Sequence, residues 1–186
     1  MEILLHSCCA PCVAGCIGEL RRNDIVPRLI WYNPNIHPYQ EYKKRKAAFS
    51  AFCDKEGLNS EIAEEYGLRD FISDVFPDFD NPKIRCMYCY KKRLNHTAKT
   101  AKALGIKFFS TTLLISPYQN HDLIKQIGEE IASENDTEFY YKDFRPYFRE
   151  GQNYARNCGI YMQNYCGCVF SEEERFLSLP IAACRK

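Results

Sequence analysis

The stretch EILLHSCCAPC, residues 2–12, decides the fold. Its first half, residues 2–6, is an apolar run of the length of a buried strand, and its second half is a loop with three thiols. Residues 13–22 then have the pattern of a helix. Ligand sites of parallel α/β sheets lie beyond the carboxyl ends of the strands, so we expect the thiol-bearing loop to carry chemistry.

The alternation of strand and helix continues along the chain. Predicted strands cover residues 28–33, 60–63, 107–112 and 138–142, and predicted helices cover residues 39–56, 68–76, 90–104, 123–133, 154–161 and a short stretch from Ser171. Strands that alternate with helices of this length predict an α/β fold with a doubly wound, mainly parallel sheet. We find no internal repeat or linker, so a single domain is expected over residues 1–186.

Composition narrows the class of protein. Of the 186 residues, 46% are hydrophobic and 26% charged, which suffices for a packed core. The net charge is +1, so any contact with nucleic acid must come from a local basic patch. The first residues do not resemble a signal peptide, and no apolar run approaches the roughly 20 residues of a membrane span. We therefore expect a cytoplasmic protein with reduced thiols.

Seven of the 11 cysteines fall into three groups, which are Cys8, Cys9 and Cys12, then Cys86 and Cys89, then Cys166 and Cys168. Closely spaced thiols can converge on one metal, and three such groups in one domain predict a metal site. Seven thiols exceed the four ligands of a structural zinc, and soft thiolates favour iron–sulfur or zinc over magnesium or calcium. The remaining four stand alone and are expected to be buried hydrophobes: Cys16, Cys53, Cys158 and Cys184.

Two further patterns bear on this interpretation. Cys9-Ala-Pro-Cys12 follows a strand and opens a helix, as the redox motif of thioredoxin-like oxidoreductases does, so disulfide exchange is an alternative. Cys86 and Cys89 lie at the start of a predicted helix, where free N–H groups and the helix dipole favour thiolates. Neither of the glycine-rich phosphate loops G-x-G-x-x-G and G-x-x-x-x-G-K-[ST] is present.

Two basic segments could hold an RNA backbone, one on the second predicted helix and one directly after Cys89. Aromatic residues in nearby loops could stack an unpaired base, whereas the alternative is a solvated helix face. The residues concerned are Lys43, Lys44, Arg45, Lys91, Lys92 and Arg93.

Asp143 lies just past the last predicted strand, on the same rim as the cysteines if the topology holds. A carboxylate there could ligate an open iron or supply a proton, and the alternative is a loop ion pair with Arg145. The four histidines are scattered, and we expect them to be hydrogen-bonded or surface residues rather than metal ligands.

Six segments together resemble the QueH type of epoxyqueuosine reductase. They are LHSCCAPC (5–12), NPNIHP (33–38), RCMYC (85–89), TTLLISP (111–117), DFR (143–145) and YMQNYCGC (161–168). The resemblance covers nearly the whole chain and implies a HUP-like α/β fold. It also implies the last step of queuosine biosynthesis, in which epoxyqueuosine at the wobble position of a tRNA anticodon is reduced to queuosine.

The resemblance implies cofactors as well. The family holds a [4Fe–4S] cluster with an adjacent mononuclear iron, and the ligands carried over are Cys8, Cys9, Cys86, Cys89, Cys166 and Cys168. Removing the epoxide oxygen takes two electrons and two protons, so an external electron donor must recharge the cluster. Asp143 is the expected proton donor. A zinc-stabilised RNA-binding module without redox activity stays open as the alternative.

Overall fold

The computed structural model describes residues 1–177, and five strands form a parallel sheet within it. The strands are β1 (Glu2–His6), β2 (Val26–Trp31), β3 (Ser60–Ile62), β4 (Phe108–Thr111) and β5 (Glu138–Phe139). Their order across the sheet is β3-β2-β1-β4-β5, and every neighbouring pair is parallel. At the centre, Leu5 lies opposite Leu29 of β2 and Ser110 of β4. The predicted doubly wound parallel sheet is confirmed.

Seven α-helices and two short 3₁₀ turns connect the strands within the described part of the chain. The helices are α1 (Ala10–Arg22), α2 (Tyr39–Glu56), α3 (Leu68–Val75), α4 (Pro82–Ala103), α5 (His121–Glu134), α6 (Phe148–Asn157) and α7 (Val169–Phe176). The 3₁₀ turns cover Thr112–Ile115 and Arg145–Tyr147. The expectations for Cys184 and for the last nine residues of the domain lie outside the described residues.

Helix α4 begins at Pro82, earlier than the predicted start at residue 90. Pro82 occupies the start, where its missing N–H costs nothing, and the side chain of Asn81 accepts a hydrogen bond of 3.0 Å from the Lys83 N–H. Cys86 and Cys89 therefore lie inside the helix and not at its end. The prediction that free N–H groups at a helix start favour their thiolates is wrong.

The core lies on both faces of the sheet, as expected for parallel strands covered by helices. Ile3, Leu4 and Leu5 of β1 are fully buried. Helices α1 and α6 approach closely where Gly15 meets Gly151, since a Cβ on Gly151 would lie 2.6 Å from the Pro11 carbonyl oxygen. This close approach fixes the start of α1, and with it the loop that carries the first cysteines.

The direction of winding reverses at the carboxyl ends of β1 and β4, because the chain passes from β1 to β2 on one side and places β4 on the other. The loops after these two strands touch: the Cys8 backbone N–H donates to Thr112 Oγ1 over 3.0 Å. The cysteine loop thus lies at the switch point, where doubly wound sheets bind ligands. Among residues 1–177, no helix combines the length and apolarity that crossing a membrane requires.

Candidate metal centre

Three sulfurs meet at the end of β1. The side chains of Cys8, Cys9 and Cys12 place their Sγ atoms within 4.8 Å of one another, and we call them the amino-terminal thiol group. Cys9 is the N-cap residue of α1 and Cys12 lies in its first turn, so the helix start folds the segment back on itself. Cys12 was absent from the ligand set that the resemblance implied, although its spacing from Cys8 and Cys9 was a usable signal.

One thiol of this group is poised as a thiolate. Hydrogen bonds with the thiols of Cys12 and Cys9 and with the Thr112 hydroxyl hold the pKa of Cys8 well below its usual range. Burial raises the pKa of Cys9, and the hydrogen bond to Cys8 raises that of Cys12. The depressed thiol is therefore outside the Cys9–Cys12 pair, in contrast to thioredoxin-like motifs, where a member of the pair is depressed.

A second cluster joins helix α4 to the loop before α7. Cys89, Cys166 and Cys168 interact electrostatically, and we call them the carboxy-terminal thiol group. Burial raises the pKa of Cys89 to about 12, although the guanidinium of Arg93 acts in the opposite direction. Arg93 lies one turn further along α4, and its Nη2 is 2.9 Å from Cys89 Sγ. The positive charge beside Cys89 thus comes from a side chain instead of a helix end.

Arg93 also connects the two thiol groups. Burial lowers its pKa, but the thiolates of Cys89, Cys166 and Cys8 outweigh that effect and raise it. Sulfurs from three segments far apart in sequence therefore interact electrostatically with one buried cation. Cys86 lies one turn before Cys89 on α4 and is half-buried against the core. It is disulfide-bonded in this structure, so its sulfur can bind metal only after reduction.

The loop that carries Cys166 and Cys168 is held by the segment NPNIHP. The His37 N–H donates to the Gly167 carbonyl over 2.7 Å, and the Val169 N–H donates to His37 Nδ1 over 3.3 Å. Gly167 has φ of 143°, a conformation that a side chain would strain. This segment of the motif set therefore shapes the ligand loop rather than binding metal itself.

Each of four cysteines receives a hydrogen bond from a neutral or cationic side chain, a feature that sequence reasoning missed. Gln163 Nε2 lies 2.9 Å from Cys9 Sγ, and Gln119 Nε2 lies 3.5 Å from Cys166 Sγ. The other two donors are Thr112 to Cys8 and Arg93 to Cys89. Hydrogen bonds to sulfur are one of the levers that set the potential of an iron–sulfur cluster. Gln163 and Thr112 lie in the quoted motifs, which was a signal, whereas Gln119 lies just outside them.

Comparison with known proteins identifies the family. The profile described as "Epoxyqueuosine reductase QueH" matches residues 3–174. The chain belongs to the QueH family of epoxyqueuosine reductases. It is 37% identical to the Epoxyqueuosine reductase QueH of Thermotoga maritima, covering 93% of this chain and 91% of the relative. It is 34% identical to that of Dehalococcoides mccartyi, covering 94% of both. The expected family, and with it an oxidoreductase enzyme of queuosine biosynthesis, is confirmed.

Two solved structures resemble this chain at low sequence identity, so the likeness shows a shared fold and nothing more. A predicted subunit of tRNA methyltransferase from Methanocaldococcus jannaschii matches with a TM-score of 0.53 at 12% identity, covering 86% of this chain and 88% of that one. The U34-tRNA thiolase NcsA from Methanococcus maripaludis, solved with its [4Fe-4S] cluster, matches with a TM-score of 0.50 at 13% identity, covering 98% of this chain and 67% of that one. These likenesses agree with the expected α/β fold.

Two of the six basic residues expected to contact RNA are buried, and for them the prediction is wrong. Arg45 is 2% exposed and donates to Glu41 and to the carbonyls of Tyr165 and Cys166. Arg93 is equally buried, beside Cys89. Both arginines support the cysteines from inside, because their helix faces turn towards the core.

The other four basic residues lie at the surface. Lys43, Lys44 and Lys91 are exposed, and Lys92 is half-buried and pairs with Glu65 over 3.2 Å. Four of the six basic residues expected to contact RNA are therefore accessible to solvent.

Asp143 forms the loop ion pair that the sequence left as an alternative. Both its carboxylate oxygens accept from the Arg145 guanidinium, over 2.8 and 2.6 Å, and this lowers the pKa of Asp143. The side chain is therefore ionised at neutral pH, and the predicted role of proton donor is corrected. The neighbouring Phe144 N–H donates to the Leu114 carbonyl, which fixes this loop against the turn that holds Thr112.

Proposed function

We propose that this chain reduces epoxyqueuosine at the wobble position of a tRNA anticodon to queuosine, the final step of queuosine synthesis. The observation that carries the proposal is the group of three thiols within 4.8 Å at the switch point of the sheet, in a chain of the QueH family. The buried Arg93 interacts electrostatically with Cys8 of this group and with Cys89 and Cys166. The HUP-like fold supports the proposal, since tRNA-modifying proteins share that fold.

We propose further that the cysteines hold a [4Fe–4S] cluster and an adjacent iron. The candidate ligands are Cys8, Cys9, Cys12, Cys86, Cys89, Cys166 and Cys168. The donor set fits iron, because it consists of soft sulfurs, with three of them within 4.8 Å and one already poised as a thiolate. A cluster takes four cysteines, so the set leaves thiols for a second metal.

The reaction removes the epoxide oxygen and consumes two electrons and two protons, which leaves an alkene and water. When bound, the iron centre would deliver the electrons one at a time from an external donor and act as a Lewis acid on the epoxide oxygen. Arg93, Thr112, Gln119 and Gln163 would orient the ligating thiolates through their hydrogen bonds. Asp143, held ionised by Arg145, would serve as a hard oxygen ligand and not as an acid.

The exposed lysines would bind the tRNA backbone. Lys43, Lys44, Lys91 and Lys92 supply local positive charge on a chain whose net charge is only +1. A wobble base lies in a single-stranded loop and can be turned out of it without breaking a duplex. A tRNA substrate would place the reaction in the cytoplasm.

Anaerobic purification tests the proposal. We expect a brown protein that contains both iron and acid-labile sulfide and whose visible absorption bleaches with dithionite. With dithionite as donor it should convert epoxyqueuosine in tRNA to queuosine, detected by mass spectrometry of the digested nucleosides. A colourless protein that contains zinc and binds tRNA without converting it would overturn the proposal in favour of an RNA-binding module.

A further inference from the structure

Three arginines are buried within residues 1–177, and they differ in how their charge is balanced. Arg45 pairs with Glu41 over 2.6 Å, and Arg85 pairs with Glu174. Arg93 is 2% exposed and has no carboxylate within 4.0 Å among the residues that the structure describes. Its nearest potential anion is Cys89 Sγ at 2.9 Å.

The guanidinium of Arg93 has a fixed position. Its Nε donates to the Cys89 carbonyl over 3.0 Å, one turn back on α4, while Nη2 faces the sulfur of the same residue. Cys8 and Cys166 lie within its electrostatic range, so the cation faces both thiol groups. Arg85 also acts on Cys168, but its charge is already balanced by Glu174.

A buried charge is tolerated only when an opposite charge or a set of hydrogen bonds compensates it. In the metal-free protein, Arg93 has no carboxylate partner among the described residues, and its hydrogen-bond partners are the carbonyl and the sulfur of Cys89. Its charge is therefore poorly compensated. Iron bound by several thiolates carries net negative charge, and the same guanidinium would then be well compensated.

We propose that Arg93 is a positioning residue whose positive charge balances the thiolate-bound iron centre and raises its reduction potential. This inference rests on the proposed function. Added negative charge is easier to accept beside a fixed cation, so an external one-electron donor can reduce the centre more readily. Arg93, which the sequence placed in the second basic segment, thereby supports electron transfer instead of binding RNA.

Removing the charge of Arg93 should have opposite effects on the metal-free protein and on the protein that holds the iron centre. Without metal, removing the cation relieves an uncompensated buried charge, so Arg93→Gln should unfold at a temperature no lower than the parent. With the iron centre present, the same change removes its counter-charge, so the potential should fall and iron should be lost more readily to a chelator. A merely structural arginine would lower the unfolding temperature in both states.

The experiment compares Arg93→Gln with Arg93→Lys and with Lys99→Gln. Lys99 lies on the same helix and is exposed, so Lys99→Gln removes the same charge from a solvated position. Each protein is loaded anaerobically, its iron and sulfide are counted, and its midpoint potential is measured by dye-mediated titration with dithionite. Unfolding of each metal-free protein is followed by circular dichroism.

At a fixed donor potential, we expect the ratio of reduced to oxidised centre in Arg93→Gln to fall about tenfold, which corresponds to about 59 mV for one electron. Arg93→Lys should restore most of the ratio, and Lys99→Gln should leave it unchanged.

An unchanged potential in loaded Arg93→Gln overturns the inference and leaves the proposed function intact. A metal-free Arg93→Gln protein that melts lower or fails to fold also overturns it, since the role is then structural. A parent protein without iron and sulfide overturns the proposed function itself.

Discussion

The two thiol groups are built in opposite ways. The amino-terminal group comes from one continuous segment, and its single thiolate is stabilised by neighbouring thiols and Thr112. The carboxy-terminal group joins a helix to a distant loop, and buried arginines hold it together. The first group needs only a strand end and a helix start, whereas the second exists only once the tertiary structure has formed.

The largest expected effect comes from removing one sulfur from each group. If both groups serve one centre, Cys8→Ala and Cys89→Ala should each abolish iron binding and activity, beyond the roughly 10–100-fold loss typical of residues that only support a ligand. The measurements are iron and sulfide per chain and conversion of epoxyqueuosine in tRNA.

Cys53→Ala is the matched control, because Cys53 is a buried thiol outside both groups whose pKa burial raises to about 11. It should keep its iron. Full iron and sulfide in Cys89→Ala, with loss in Cys8→Ala alone, would mean that the carboxy-terminal group does not take part in the centre.

Arg45→Gln should destabilise the carboxy-terminal thiol group and leave the amino-terminal thiol group in place. The change leaves Glu41 buried without its cation and frees the carbonyls of Tyr165 and Cys166. Removing one partner of a buried ion pair costs about 3–5 kcal/mol in free energy of unfolding, which denaturant titration of the metal-free protein measures.

The double variant Arg45→Gln with Glu41→Gln should recover part of that loss, since no unpaired charge then stays buried. A loss below about 1 kcal/mol in the single variant would place the pair with ordinary surface ion pairs and contradict the argument.

Each group also rests on a buried neutral histidine, and this gives a pH dependence. His6 lies just before the first group, and its Nδ1 shares a hydrogen bond of 2.8 Å with Thr111 Oγ1. In the second group, His37 Nδ1 accepts a hydrogen bond from the Val169 N–H. Burial lowers the pKa of His6 to about 3 and that of His37 to about 4. Below the unfolded value of about 6.5, only the unfolded chain takes up these protons, so stability falls as the pH falls.

The contribution of His6 is on the order of 4–5 kcal/mol and is lost progressively between about pH 6.5 and 3. Denaturant titrations of the metal-free protein at several pH values measure it. His6→Asn should reduce the dependence of the free energy of unfolding on pH in this window. The hydrogen bonds that the variant loses lower its stability by the same amount at every pH, and that amount is subtracted first. An unchanged slope would show that His6 already carries a proton in the folded protein.

Local sequence pattern predicted the sheet and the amino-terminal group because both depend on neighbours along the chain. Apolar runs placed β1 and β4, and the thiol loop had to follow β1. The start of α4 was missed because a proline is equally compatible with a loop and with the first residue of a helix.

The buried arginines could not be identified from charge alone. Arg93 lies among Tyr90, Leu94 and Thr97, which form the buried face of α4. That placement was a signal, but a cation in such a stripe is tolerable only if its partner comes from elsewhere in the fold. The partner, a set of sulfurs from other segments, depends on the tertiary structure.

The smallest expected effect comes from removing the lysines at the surface of α2 and α4. Lys91→Ala with Lys92→Ala removes charge next to Cys89, and Lys43→Ala with Lys44→Ala removes it from α2. For each lysine that binds a phosphate, its removal should weaken tRNA binding at low salt and flatten the plot of log affinity against log salt by about 0.7–0.9. The pair that changes the slope marks the face along which the tRNA backbone runs.

Since Lys92 is already paired with Glu65, we expect the slope of the variant at Lys91 and Lys92 to change by the amount for one phosphate rather than two. Binding titrations at several salt concentrations test this, with Lys99→Ala as the control, and slopes that match the parent in both double variants would exclude these lysines from the tRNA site.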